Sequence, residues 1–146
     1  MMSGIVQASH VLTVATRGKG FVEITRELAG WLSSIAAENG LLTVFVQHTS
    51  ASLTIQENAD PNVRRDLLDT LEQLAPEDRA YSHHEEGPDD MPSHIKAMLT
   101  AVSLAIPIKD GSMTLGTWQG VYLIEHRAAP YRRNVVLSFI GNVADA

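Results

Sequence analysis

The sequence predicts an α+β fold, a single compact domain with about three helices and mixed or antiparallel β-sheets. Three observations carry this. Runs of period-two apolar residues alternate with segments of helical period, without a regular strand-helix-strand rhythm. The last third of the chain reads almost entirely as strands joined by turn chemistry. No Gly/Ser linker, low-complexity tract or internal repeat interrupts the 146 residues, so the expectation is one domain over residues 1–146. A chain of this length buries roughly 70% of the surface it would expose unfolded.

From Ile5 to Thr16 the chain is rich in β-branched residues and ends at the turn Arg17-Gly18-Lys19-Gly20, which predicts a first strand. Ile24, Leu28, Trp31 and Ile35 lie on one helical face, predicting a helix of about 14 residues that terminates at Asn39-Gly40. Leu41 to Gln47 then alternates with apolar residues on both faces, the pattern of a strand buried on two sides. Ser52 to Ile55 is strand-like. Asp60-Pro61 supplies an acidic cap and a proline at the first helical position, and Val63, Leu67, Leu71 and Leu74 form the apolar stripe of a second helix ended by Pro76. Asp90 and Pro92 repeat that start signal, and Ile95, Met98, Leu99 and Val102 predict a third helix. Leu104, Ile106 and Ile108 alternate into the hairpin turn Lys109-Asp110-Gly111. The segments Val121 to His126 and Arg133 to Phe139 complete the sheet.

Composition narrows the chemistry. There is no cysteine, which removes disulfides, thiolate metal sites and cysteine nucleophiles, and which suits a reducing compartment. The formal net charge of −6 argues against broad nucleic-acid or anionic-membrane binding. No stretch reaches the roughly 18 apolar residues needed to span a bilayer, and Met1 to His10 has no leader pattern, so a cytoplasmic location is expected.

Two places can hold titratable chemistry. His48 continues the face of Leu42, Val44 and Val46, where the strand leaves the core just before Thr49-Ser50-Ala51-Ser52. It is either a ring presented to a site or a buried histidine satisfied by the backbone. The segment His83 to His94 holds three histidines and four carboxylates within 12 residues, on a Gly- and Pro-containing loop that enters a helix. Neutral imidazoles and carboxylates are the usual ligands of a divalent ion when thiols are absent. The bland alternative is a solvated acidic loop with Asp90 as a helix cap. No His-Glu-x-x-His, Gly-x-Ser-x-Gly, dinucleotide or Walker fingerprint is present. Glu125 shares the side of Val121 and Leu123, so it is either the first exposed position or aimed into a site. His126 points to the opposite face and reads as structural. Glu57 lies at a strand end, and Asp60 reads as a cap. Arg132-Arg133 could meet a phosphate or carboxylate.

Gln47-His48-Thr49-Ser50-Ala51-Ser52-Leu53-Thr54, Glu57-Asn58-Ala59-Asp60-Pro61, the Tyr81 to Lys96 block and Leu115-Gly116-Thr117-Trp118-Gln119-Gly120-Val121 together resemble the YjbQ-like family, also called secondary thiamine-phosphate synthase enzymes. The similarity covers about residues 10 to 140. It implies a homotrimer in which His48, His83 and His94 bind a divalent metal ion, zinc, magnesium or similar; His84 departs from the pattern, which commonly has aspartate there. It also implies a transferase that joins hydroxymethylpyrimidine diphosphate to thiazole phosphate and releases pyrophosphate, with a small phosphorylated molecule as partner. Glu57, Asp90 and Glu125 would then be catalytic, holding the cation or working through bound water, with Asp89 beside them. Thr49, Ser50, Asn58, Trp118, Gln119 and Arg132 would bind substrate. The alternatives are a non-catalytic trimer that binds a metal or small ligand, and a metal-dependent hydrolase of a small phosphorylated substrate.

Overall fold

A computed structural model describes residues 4–145 as one α+β domain. Five strands form a sheet in the order β1-β8-β3-β5-β6: β1 (Val6–Ala15), β8 (Arg132–Val143), β3 (Ala37–Val46), β5 (Ser103–Lys109) and β6 (Ser112–Met113). Three more form a second sheet, β2 (Gly20–Glu23), β7 (Gln119–Glu125) and β4 (Ala51–Glu57), in the order β2-β7-β4. Every pairing is antiparallel. The helices are α1 (Thr25–Ser34), α2 (Pro61–Leu74) and α3 (Asp90–Leu99). No described helix is long and apolar enough to cross a membrane.

The core lies between the sheets. The period of two sends Leu42, Val44 and Val46 of β3, Ile106 and Ile108 of β5, and Val135, Leu137 and Phe139 of β8 inward to meet Leu53, Val121 and Leu123 of the smaller sheet. Leu28 and Leu32 of α1 close the same cluster. β7 is buried from Gly120 to Glu125 because it is the central strand of its sheet and is covered on both faces.

Several predicted elements are found with their predicted chemistry. Asp60 caps α2 by accepting from the Asn62 N–H at 2.9 Å, with Pro61 at the first helical position. Asp110 and Gly111 both have positive φ, 51° and 82°, and make the two-residue turn of the β5–β6 hairpin.

Three expectations change. The first helix ends at Ser34, and the left-handed terminator is Ala36, φ 54°. Asn39-Gly40 lies inside β3, where Gly40 is opposite Gly141 of β8; a Cβ on either glycine would run into the other strand's backbone. β3 is buried on one face only, since Leu41 and Phe45 are exposed on the other. The stripe expected to bury α3 also turns outward. Met98 is 80% exposed, whereas Pro92, Ser93, Lys96 and Ala97 face inward. The buried Lys96 ammonium is matched by Glu72 of α2, which also accepts from Lys19 at 3.0 Å. Burial alone would raise the Glu72 carboxyl, but the two ammonium groups hold it below its ordinary value.

Candidate metal centre

α3 presents Asp90 and His94 one helical turn apart, on the same face. The preceding loop, 75–89, returns His83 to that face. His83 Nε2 lies 2.6 Å and His94 Nε2 3.2 Å from one oxygen, Asp90 Oδ2. The three ligand atoms fall within 4.8 Å of one another, and among the described residues this is the convergent set of histidine and carboxylate groups. The imidazole rings are tilted, with centroids 5.7 Å apart.

Hydrogen bonds define which atoms are free. His94 Nδ1 lies 2.8 Å from the Thr49 carbonyl, so that nitrogen carries a proton and Nε2 is the ring atom turned toward Asp90. At 3.2 Å from a carboxylate oxygen, Nε2 needs a proton or a cation between the two atoms. This backbone-anchored ring, with the opposite nitrogen free, is how metal-binding histidines are commonly oriented. Asp90 is buried and remains anionic: burial alone would raise its carboxyl, but His83, His94 and Arg127 hold it below its ordinary value. His83 is half-exposed. The neighbouring Asp90 carboxylate raises its pKa, and Glu86, 3.2 Å from the same nitrogen, adds to the effect. A cation about 2.1 Å from each of these atoms would hold neighbouring ligand atoms roughly 3.0–3.4 Å apart, so the His83–Asp90 hydrogen bond must open to admit one.

His48 is not brought to this cluster. Its Nε2 accepts from the Asn134 N–H at 2.8 Å, which places the proton on Nδ1, 3.5 Å from the Arg133 guanidinium. Neither nitrogen offers a lone pair to an ion. Partial burial and the Arg133 charge lower its pKa, so the ring is neutral.

The expected catalytic carboxylates separate. Asp90 is at the centre, in the position of a ligand. Glu125 is fully buried and receives Arg133 Nε at 2.8 Å, Thr16 Oγ1 at 2.6 Å and the Arg127 N–H at 3.1 Å. Its burial cost is outweighed by those donors, which hold its carboxyl below the ordinary value. Glu57 accepts from the Asp60 N–H at 2.9 Å, beside the start of α2.

The expected substrate residues divide in the same way. Thr49 touches the cluster through its carbonyl, and Ser50 Oγ accepts from Arg133 at 3.0 Å. Asn58, Trp118 and Gln119 lie at the other end of the β4–β7 pair, where Glu57 is opposite Gln119 and Ala51 opposite Glu125. Six residues of strand separate the two ends, about 20 Å. There the Asn58 N–H donates to the Trp118 carbonyl and Gln119 Oε1 accepts from the Gly116 N–H. Arg132 is exposed, while its neighbour Arg133 is the buried partner of Glu125.

Arg127 was not among the expected site residues. It donates to Asp89, Asp90 and the Glu86 carbonyl. A cluster of acids on one loop, at the entry to a helix, was the signal that a cation had to sit among them. Two clefts flank the centre. One of about 640 Å³ is lined by Phe45, His48, Thr49, Ser50 and Val102, and one of about 290 Å³ by Tyr81, His83, His84 and Met91.

The profile of the family described as UPF0047 protein YjbQ-like matches residues 10–142. The chain is 49% identical over 138 residues to a UPF0047 protein of Synechocystis, covering 94% of each chain. It is 44% identical to the UPF0047 protein YjbQ of Salmonella typhimurium, covering 90% of this chain and 96% of that one. Among solved structures, a conserved hypothetical protein of Thermus thermophilus is 41% identical with a TM-score of 0.77, covering 87% of this chain and 97% of that one. A YbjQ-like protein of unknown function from Sulfolobus solfataricus has a TM-score of 0.87 at 19% identity, covering 95% and 100%, a likeness of fold alone. These relatives overturn the activity drawn from the family resemblance. They are described as UPF0047, hypothetical or unknown-function proteins, and those descriptions give no support to thiamine-phosphate synthesis or to its hydrolase and non-catalytic alternatives.

Proposed function

The chain belongs to the UPF0047 family of YjbQ-like proteins, and from the convergence of His83, Asp90 and His94 we propose that it binds one divalent transition-metal ion. The observation that supports this reading is the meeting of His83 Nε2 and His94 Nε2 at one oxygen, Asp90 Oδ2, with the His94 ring anchored through its other nitrogen by the Thr49 carbonyl. Two imidazoles and one carboxylate are a donor set for zinc, iron, manganese or cobalt, and three protein ligands leave coordination positions open. The bound ion supplies a Lewis acid at which an exogenous oxygen or nitrogen ligand is polarised. The chain's own residues do the rest: Thr49 orients His94, and Arg127 holds Asp90.

The test is calorimetric titration of untagged, chelator-treated protein with zinc or cobalt. One ion per chain is expected in the wild type, with affinity lost in His94→Ala. A wild type that takes up no ion rejects the reading.

We also propose that copies of the chain associate through the outer face of the five-stranded sheet, with three copies as the family resemblance implies. Val11, Leu41, Phe45 and Ile140 are exposed on that face, between 43% and 54%. Their partners across the strands, besides one another, are Gln7, Ser103, Pro107 and Val136, and none is charged. An apolar, uncharged patch of this extent marks a contact surface. Analytical ultracentrifugation should give the mass of three chains, and Phe45→Asp should reduce it to one.

A further inference from the structure

Arg127 holds more acceptors than any fold requirement at its position explains. It lies two residues beyond the end of β7, and its side chain is 16% exposed. Nε donates to Asp89 Oδ2 at 3.0 Å, Nη1 to Asp90 Oδ1 at 2.8 Å and Nη2 to the Glu86 carbonyl at 2.9 Å, with Asp89 Oδ1 at 3.5 Å. The Ala128 N–H completes Asp89 at 2.8 Å. Gly87 sits inside this arrangement at φ +103°, where a Cβ would press on Asp89 Oδ1 at 3.3 Å. The planar fork therefore ties the turn 86–90 to the end of β7 through three separate groups, a geometry that a lysine ammonium cannot copy.

The consequence concerns Asp90. Its two oxygens are divided: Oδ1 is taken by Arg127, and Oδ2 alone faces His83 and His94. Resting on the metal reading above, we infer that Arg127 is a positioning residue that restricts Asp90 to a single metal-binding oxygen and so selects small transition-metal ions over calcium. Calcium takes six to eight oxygens and commonly uses both atoms of a carboxylate, whereas zinc and cobalt are satisfied by one oxygen with two imidazoles. Freed from the guanidinium, Asp90 can turn both oxygens to the ion and raise the coordination number.

The experiment compares wild type, Arg127→Ala and Arg127→Lys by zinc–calcium competition and by the visible absorption of the cobalt-loaded protein. Circular dichroism of each apo-protein establishes that it folds. The inference predicts that the preference for zinc over calcium falls about tenfold or more in Arg127→Ala, the scale of an outer-sphere substitution. The cobalt bands should weaken as coordination number rises. Arg127→Lys, which restores one hydrogen bond but not the fork, should fall between, and it decides the matter alone if the alanine variant does not fold. Wild-type selectivity and spectrum in a folded variant overturn the inference while leaving the metal reading intact. Absence of any metal uptake by the wild type overturns both.

Discussion

Two polar clusters lie within a few residues of each other, and they are built on opposite principles. Around Glu125 every requirement is met internally. The buried carboxylate receives a guanidinium, a hydroxyl and a backbone N–H, and Arg133 also stacks over Tyr131 at 4.5 Å. Around Asp90 the same carboxylate chemistry is left half finished. One oxygen is satisfied by Arg127, and the other faces two imidazole nitrogens, one of them on a ring anchored from its far side by a backbone carbonyl. A closed network contributes to stability and specificity of packing; an open one has affinity left for something outside the chain.

Substitutions should separate the two. The largest effect on stability is expected from Arg133→Met, which strands the Glu125 carboxylate in the core. Removing one partner of a buried ion pair costs about 3–5 kcal/mol, read as a shift of the urea midpoint, with zinc affinity retained in the folded fraction. A comparable loss should come from acid. His126 is buried beside Ser52 Oγ at 2.8 Å, and burial, reinforced by the Lys96 charge, pushes its pKa down to about 4. The unfolded chain titrates this histidine near 6.5, so between those values it binds more protons than the native state. Stability is then fully present above pH 6.5 and falls by about 3 kcal/mol as pH drops toward 4. Below that, Glu125, whose native carboxyl is depressed, gives up its own contribution. Urea unfolding between pH 7 and 4 checks the slope, and His126→Asn should flatten its upper part.

The open cluster should show the reverse pattern. Asp90→Asn and His94→Ala should each weaken zinc binding by more than about 100-fold, beyond what outer-sphere changes produce. His83→Ala should do the same while leaving the urea midpoint of the metal-free protein nearly unchanged, because the ring is half-exposed. The smallest effect on metal should come from His48→Ala. Its ring bonds Asn134 and approaches Arg133, so zinc affinity should stay within about twofold even though the β3–β4 turn loses a tie.

How far the sequence could be read depended on whether a residue's role was local. The cap at Asp60, the turn at Asp110-Gly111 and the alternation of β8 are set by near neighbours, and each is found as expected. Gly40 looks like a terminator because it follows a helical stripe, whereas its reason is Gly141, about a hundred residues away. α3 was turned the wrong way because apolar pattern counts for burial only when buried polar groups lack partners. Lys96 has Glu72, and Ser93 Oγ donates to the Asp90 carbonyl. In the site, His83 and His94 were legible from composition and family resemblance. Asp90, and not His48, is the third group that meets these two rings, because the backbone N–H of Asn134, on a distant strand, occupies one nitrogen of His48. Arg127 left no local trace, since its partners are 37 to 41 residues away in sequence.

The account rests on where an ion sits. An anomalous-difference map of zinc- or cobalt-soaked crystals locates it directly. A single peak about 2.1 Å from His83 Nε2, His94 Nε2 and Asp90 Oδ2 is the predicted result. A peak on His48, or no peak within reach of Asp90, would contradict it.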